Sequence, residues 1–226
     1  MINIRYLGHA AFSVDFDGIR VLVDPYLTGN PSALIKPEEV EADFILVTHG
    51  HGDHVGDTVD IAKRTNAVVV CNAEISRGLK EKGVNTQAQH IGGGHDYPFG
   101  YVKLTVAVHG SSLPDGSYGG NPAGLLITTK NGKKLYFAGD TGLFGDMRLI
   151  GEEGIDFAAL PIGDNYTMGP EDAIRAVKLL EPRVVVPMHY DTFNLILQDV
   201  IAWAARVEKE TDAKPVVLKP GESYCL

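Results

Sequence analysis

Thr48-His49-Gly50-His51-Gly52-Asp53-His54 crowds three imidazoles and a carboxylate into a short stretch directly after the apolar run Phe44-Ile45-Leu46-Val47. A fold that buries this run as a strand must deliver the whole polar cluster at the strand's end, and the glycines let the backbone turn tightly between the side chains. In such a turn His49 and His51 can face one cation while Asp53 and His54 face a neighbouring one. The bland alternative is a polar helix start with Asp53 as its cap and the histidines in solvent. It gives no reason for four metal-binding groups to stand so close together.

The rest of the chain reads as alternating strands and helices. At 226 residues it is long enough for one sizeable core, and a single domain over residues 1–226 is expected. Residues 2–6 alternate like a strand, and residues 11–16 and 19–23 flank Asp17-Gly18, a hairpin signal. A β-α-β rhythm follows: a strand over 44–47, a helix over about 57–64, a strand at 68–70 and a helix near 74–82. Strands return at 102–108, 125–129 and 135–138, with Asn131-Gly132 joining the last two. The closing third holds a strand at 157–160, a helix over about 171–180, a strand at 184–186, a helix near 195–210 and a strand at 216–218. Gly169-Pro170-Glu171-Asp172 suits a helix start. Ile196, Val200, Trp203 and Val207 form a core-facing stripe on the last helix.

Four ligands cannot complete two coordination shells, so further ligands are expected at strand ends, where the backbone holds a side chain rigidly. His109 follows the strand ending at Val108, Asp140 stands in Gly139-Asp140-Thr141, and His189 follows Val184 to Met188. Each is a lone polar group beyond an apolar run, which singly suits a structural cap and together with the first motif suits a metal centre. The two oxygens of Asp140 fit it to bridge two cations.

Composition narrows the function class. Twenty basic against twenty-nine acidic residues give a net charge of −9, which disfavours a broad nucleic-acid surface, although bound cations would reverse that field locally. No apolar run reaches the length of a bilayer span, and the N-terminus opens into strand-like sequence. A cytoplasmic protein without membrane insertion is therefore expected. Cys71 and Cys225 have no metal-ligand spacing; Cys71 reads as a core residue, and nothing in the sequence supports a disulfide between them.

These residues together resemble the metallo-β-lactamase superfamily. That resemblance implies a four-layer αβ/βα sandwich with the site on the sheet edges. It also implies His49, His51 and His109 on one metal, Asp53, His54 and His189 on the other, and Asp140 between them. More narrowly, Leu7-Gly8-His9-Ala10, Asp24-Pro25, residues 119–124, Gly139-Asp140-Thr141 and Met188-His189-Tyr190 resemble a little-characterised group of metal-dependent hydrolases in that superfamily. Its relatives include ascorbate-phosphate lactonases and an N-acylethanolamine phospholipid phosphodiesterase. Zinc β-lactamases of the commonest class carry Cys where Asp140 stands, and redox di-iron relatives carry Glu where His51 stands, so the hydrolytic branch is the better match.

The expected activity is hydrolysis of an ester, lactone or phosphodiester in a small-molecule substrate, with hydroxide bridging two divalent ions as nucleophile. Zinc is the first choice of metal and manganese the second, and Fe2+, Ni2+ and Co2+ also suit the donor set. Asp53 is expected to shuttle the proton as well as to bind metal. His9 is expected as a substrate contact or a partner of a ligand, and Asp24 as a carboxylate orienting a ligand imidazole. Tyr190 and Tyr166 are candidate oxyanion donors, with packing as the plainer reading. Gly92-Gly93-Gly94 reads as a flexible turn, with His95 at the site rim, and residues 110–124 suit either the substrate mouth or a surface connection. The rival functions are a nuclease of the same superfamily and a non-catalytic metal-binding module. Substrate identity and homo-oligomerisation stay open.

Overall fold

The computed structural model describes residues 1–226. One sheet contains β1 (Ile2–Gly8), β2 (Ala11–Phe16), β3 (Ile19–Val23), β4 (Phe44–Leu46), β5 (Val68–Asn72) and β6 (Thr86–Gln89), with β14 (Ser223–Cys225) on its outer edge beside β1. The other runs from β7 (Gly94–Tyr97) through β8 (Gly100–Val106), β9 (Ala123–Thr129), β10 (Lys134–Phe137), β11 (Phe157–Pro161) and β12 (Val184–Met188) to β13 (Lys214–Pro215). Each sheet starts as an antiparallel meander and continues with parallel strands.

Period-two alternation explains the layering. Val21 and Val23 join the core between the sheets, whereas Leu22 faces outward into a second core with Ile45, Val69 and Ile61. That outer core is closed by α2 (Thr58–Thr65) and α3 (Ala73–Glu81). On the far side α4 (Met147–Gly151), α5 (Pro170–Leu180) and α6 (Val200–Glu210) cover the second sheet through Ile150, Val177 and Trp203. The parallel strands β11 and β12 are buried along their whole length, as strands covered on both faces must be. The result is the expected four-layer αβ/βα sandwich.

Several short elements lie outside the sequence reading, among them α1 (Gly52–Val55), a single turn that carries Asp53 and His54. β6, β7, α4 and β14 are short, and three of them are polar edge segments with little apolar periodicity. Gly94 begins β7 rather than ending a flexible turn, and this puts His95 opposite Val102 on the edge strand. The last helix starts at Val200 because Asp199 caps it by accepting from the Ala202 amide; Asn194–Ile196 before it is a separate short helical turn. The last pairing with β12 is made by Lys214 and Pro215 instead of 216–218. Both cysteines are free, Cys71 buried and Cys225 exposed.

Strand direction then fixes where chemistry can occur. β1, β3, β4, β8, β10 and β12 all end on the same edge of the sandwich, and the connections leaving them carry the polar residues singled out above. Sites in sheets of this kind form beyond the carboxyl ends of the strands.

The two sheets are joined at the centre by aromatic contact: the Phe12 ring lies 5.3 Å from Phe137 on the opposite sheet and 5.1 Å from Tyr6. Phe12→Ala is expected to cost about 3–5 kcal/mol of unfolding free energy. A denaturant titration showing less than about 1 kcal/mol would contradict this account of the core.

Candidate metal centre

All seven expected ligands meet at the strand-end edge. His49, His51 and His109 form one group whose ligand atoms lie within 4.8 Å of one another. His9, Asp53, His54 and His189 form a second such group, and His49, His54 and Asp140 a third that spans the two. Asp140 sits between the halves: its Oδ1 is 3.2 Å from His54 Nε2, and its Oδ2 is 3.0 Å from His189 Nε2, 3.5 Å from His109 Nε2 and 3.9 Å from His49 Nε2.

Local backbone conformation makes this convergence possible. His9, Asp24 and His189 each follow a strand and adopt positive φ, at 57°, 44° and 54°. Non-glycine residues rarely take this conformation, so the surrounding structure holds these turns in place. Gly139, at φ 61°, brings the end of β10 against the end of β4, where a Cβ would lie 2.9 Å from Thr48 Cβ. Only glycine permits that approach of the two sheets, and Asp140 is the next residue.

Behind the cluster is a supporting layer. The buried Asp24 carboxylate accepts the Thr48 amide at 2.8 Å and the Thr48 hydroxyl at 2.6 Å, and lies 2.8 Å from His54 Nδ1. With Nδ1–H donated to Asp24, the lone pair of His54 Nε2 is turned toward Asp140. Thr48 Oγ1, whose proton goes to Asp24, is 3.0 Å from His49 Nδ1 and so accepts from it, which frees His49 Nε2 in the same sense. Asp24 was within reach of sequence reasoning. Thr48 was not, because a threonine at a strand end carries no distinguishing signal.

His9 is fully buried, with Nε2 at 3.2 Å from Asp53 Oδ2 and Nδ1 at 2.9 Å from Thr192 Oγ1. It therefore stands behind Asp53 rather than in the open mouth. Both contacts are satisfied when the Thr192 hydroxyl donates to Nδ1 and Nε2–H donates to the carboxylate. Burial lowers His9 to about 4, in keeping with a neutral ring.

Tyr190 takes the packing role, the plainer of its two readings. The chain bends at His189 and again at Asp191, φ 58°, so that His189 enters the cluster while the Tyr190 ring packs against the core. Burial and the Asp191 carboxylate push its hydroxyl up to about 12. Tyr166 is exposed on the loop that follows β11. The loop at 110–124 is an ordered wall: Ser111 Oγ accepts the Gly50 amide at 3.0 Å and donates to Gly119 O, while Asn72 Nδ2 donates to Gly119 O and Asn121 O.

Within the cluster, carboxylates and imidazoles shift one another. Burial alone would raise Asp140, but His54 and His189 bring it well below the usual carboxylate range. Burial is likewise outweighed at Asp53, where His9 and His54 lower the carboxyl. Burial holds His49 well below the ordinary imidazole value, reinforced by His54. At His54 burial loses to the Asp140 and Asp24 carboxylates, which keep the ring well above it.

The residues fit a metal by distance as well as by type. His54 Nε2 and Asp140 Oδ1 are buried without a hydrogen-bond partner although only 3.2 Å apart, because their alignment is wrong for one. His49 Nε2 and His51 Nδ1 are 3.1 Å apart. Tetrahedral coordination with bonds of about 2.0–2.1 Å separates neighbouring ligand atoms by about 3.3 Å. The cluster's spacings bracket that value.

Comparison with known proteins agrees with this architecture. The family model described as the beta-lactamase superfamily domain matches residues 19–190. A UPF0173 metal-dependent hydrolase of Bacillus thuringiensis subsp. konkukian is 51% identical over 231 aligned residues, covering 100% of both chains. The structure of Igni18, a metallo hydrolase from the archaeon Ignicoccus hospitalis, has a TM-score of 0.91 at 40% identity and covers 99% of this chain and 97% of its own. YhfI from Bacillus subtilis, a metallo-beta-lactamase fold protein, has a TM-score of 0.76 at 14% identity over 99% of this chain and 98% of its own, a likeness of fold alone. Full-length identity to the first of these and a domain match that takes in every cluster residue except His9 make this chain a member of the UPF0173 metal-dependent hydrolase family within the metallo-β-lactamase superfamily.

Proposed function

We propose that the chain is a one-domain hydrolase working with two divalent cations, zinc being the first choice. His49, His51 and His109 would hold one ion, Asp53, His54 and His189 the other, and Asp140 would bridge. The observation that carries this reading is the pair of buried, unpartnered atoms His54 Nε2 and Asp140 Oδ1 at the junction of the two ligand groups. When bound, such ions supply Lewis acidity at the scissile group and a solvent nucleophile at neutral pH.

The chain's own residues do the remaining work. Asp24 fixes the His54 ring, and Thr48 fixes both Asp24 and His49. Asp53 is the carboxylate of the cluster most open to solvent, at 31% side-chain exposure against 3% for Asp140. It is therefore placed to take a proton from attacking water and pass it to the leaving group, while His9 restrains it from behind. A closed structural metal site would leave no such opening, which favours chemistry over a purely stabilising metal.

Metal analysis of protein reconstituted with zinc should give two equivalents, and chelation should abolish hydrolysis of activated esters until metal is restored. A saturating content of one equivalent or none would end the binuclear reading.

Asp24→Asn keeps the shape and tolerates positive φ. It is expected to weaken zinc binding about 10–100-fold in competition with a chromogenic chelator. Unchanged affinity would show that the Asp24–His54 contact has no part in holding metal.

Asp53→Asn should retain the far-ultraviolet dichroism of the parent and lower turnover by about 10²–10⁴-fold at matched metal content. Turnover within twofold of the parent would remove the proton-transfer role.

A further inference from the structure

Twenty lysines and arginines are spread along the chain, yet none falls in residues 6–19, 21–35, 37–62, 104–129, 135–147, 149–174 or 184–205. Those stretches contain the residues that directly follow β1, β3, β4, β8, β10, β11 and β12 at the metal-centre edge. The loop after β8 is fastened to the histidine loop through Gly50 and Ser111, and the loop after β12 to that after β11 through Gln198 Nε2 and Gly163 O at 2.9 Å. The charged groups these connections expose are acids, among them Asp53, Asp115, Asp164 and Asp191. Lys82 acts on Asp115 at the outer end of the loop after β8, so it is on the Asp53 side that a substrate carrying phosphate or carboxylate away from its scissile bond meets no lysine or arginine from the residues that follow the strands. Anion-binding proteins supply such cations from arginine or lysine.

In place of cations the mouth has an apolar lip. Phe193 and Tyr26 approach the buried His9 ring edge-on, at centroid distances of 5.5 and 5.7 Å, beside the Asp53 carboxylate that His9 restrains. Phe193 is 39% exposed, and Leu195 and Leu197 beside it are 65% and 60% exposed. This lip is not a loose loop. Ile196 is buried beneath it, Asp191 N donates to Ile196 O at 2.8 Å, and Asp191 Oδ1 accepts the Gln198 amide at 2.8 Å. A rigid segment that buries one apolar side chain and presents three others beside a reaction centre is built to meet apolar surface.

We propose that the substrate is an uncharged carboxylic ester or lactone whose apolar portion lies against Phe193 and Tyr26 on the Asp53 side of the cluster. The inference rests on the hydrolase reading above and narrows it by setting aside phosphodiesters and tail-anionic substrates. The reaction adds one water: a C–O bond forms at the acyl carbon, the bond to the alkoxy oxygen breaks, and the alcohol leaves with one proton. The other proton passes to solvent as the acid ionises, and nothing is oxidised or reduced.

The test uses zinc-loaded protein and esters that share one leaving group and differ in the tail: 4-nitrophenyl acetate, 4-nitrophenyl hexanoate and the anionic mono-4-nitrophenyl ester of adipic acid. The hexanoate should exceed the adipate in kcat/KM by about tenfold or more. Phe193→Ala should lower the hexanoate-to-acetate ratio by about tenfold, chiefly through KM. Phe193→Lys should shift preference toward the adipate. Calorimetric binding of N-phenylhexanamide, which is not turned over, should weaken at least fivefold in Phe193→Ala. Equal or better use of the adipate, faster turnover of bis(4-nitrophenyl) phosphate than of the esters, or an unmoved ratio in Phe193→Ala would overturn the proposal. So would a stable dimer, seen by light scattering, that Phe193→Lys dissociates, since the lip would then belong to a second copy of the chain. No metal-dependent turnover of any of these compounds would instead overturn the hydrolase reading and the inference with it.

Discussion

The site depends on a single buried carboxylate. Asp140 lies within 4 Å of imidazoles delivered by β4, α1, β8 and β12, from both sheets, at 3% side-chain exposure. An unpaired charge in such a place costs several kcal/mol even after relaxation, so it needs positive partners. His54 and His189 supply part of that balance and hold the carboxyl well below its usual range, while His54 Nε2 and Asp140 Oδ1 stay without a hydrogen bond. The 3.2 Å between those two atoms suits a small divalent ion as a further partner.

The fold supplies the rigidity that such a centre needs by making its edges uncomfortable. Left-handed backbone at His9, Asp24 and His189 carries a penalty of about 1–3 kcal/mol per residue. All three stand immediately beyond strands buried in one large core, so the strain is borne by packing such as that of Phe12 on Phe137. A side chain leaving a strand through a left-handed turn has its direction set by the strand rather than by a loop. That holds ligands from four connections in one arrangement, which flexible loops would not.

How much of this could be read in the sequence followed from how local each signal was. The histidine loop, the strands on either side of it and the lone polar groups at 109, 140 and 189 were legible, because apolar runs ending in a ligand residue are local patterns. Asp24 was legible as a candidate, since an Asp-Pro pair after a strand has few other reasons to stand there. The edge strands β6, β7 and β14 were not, because their pairing comes from a neighbour in space rather than from apolar periodicity. Tyr190 packs against the core, the plainer of its two readings, because the backbone turns left-handed at His189 and Asp191 on either side of it. Thr48, Thr192, Tyr26 and Phe193 act through contacts across long sequence separations, such as that between His9 and Thr192, which no spacing along the chain encodes.

The distribution of cations bears on both halves of the account. Lysine and arginine are missing from the residues that directly follow the strands at this edge, and several elsewhere pair with acids, as Arg206 does with Glu171 and Glu210 and Lys133 does with Asp156. A fixed ammonium beside the cluster would compete with the divalent ions for Asp53 and Asp140 and would raise the electrostatic cost of loading them. Keeping basic side chains off this edge therefore favours metal binding, and it also denies the mouth its ordinary means of recognising anions. Selectivity is then left to shape and apolar contact around Phe193, so the composition that suits the metal centre also restricts the chemistry of what it can hold.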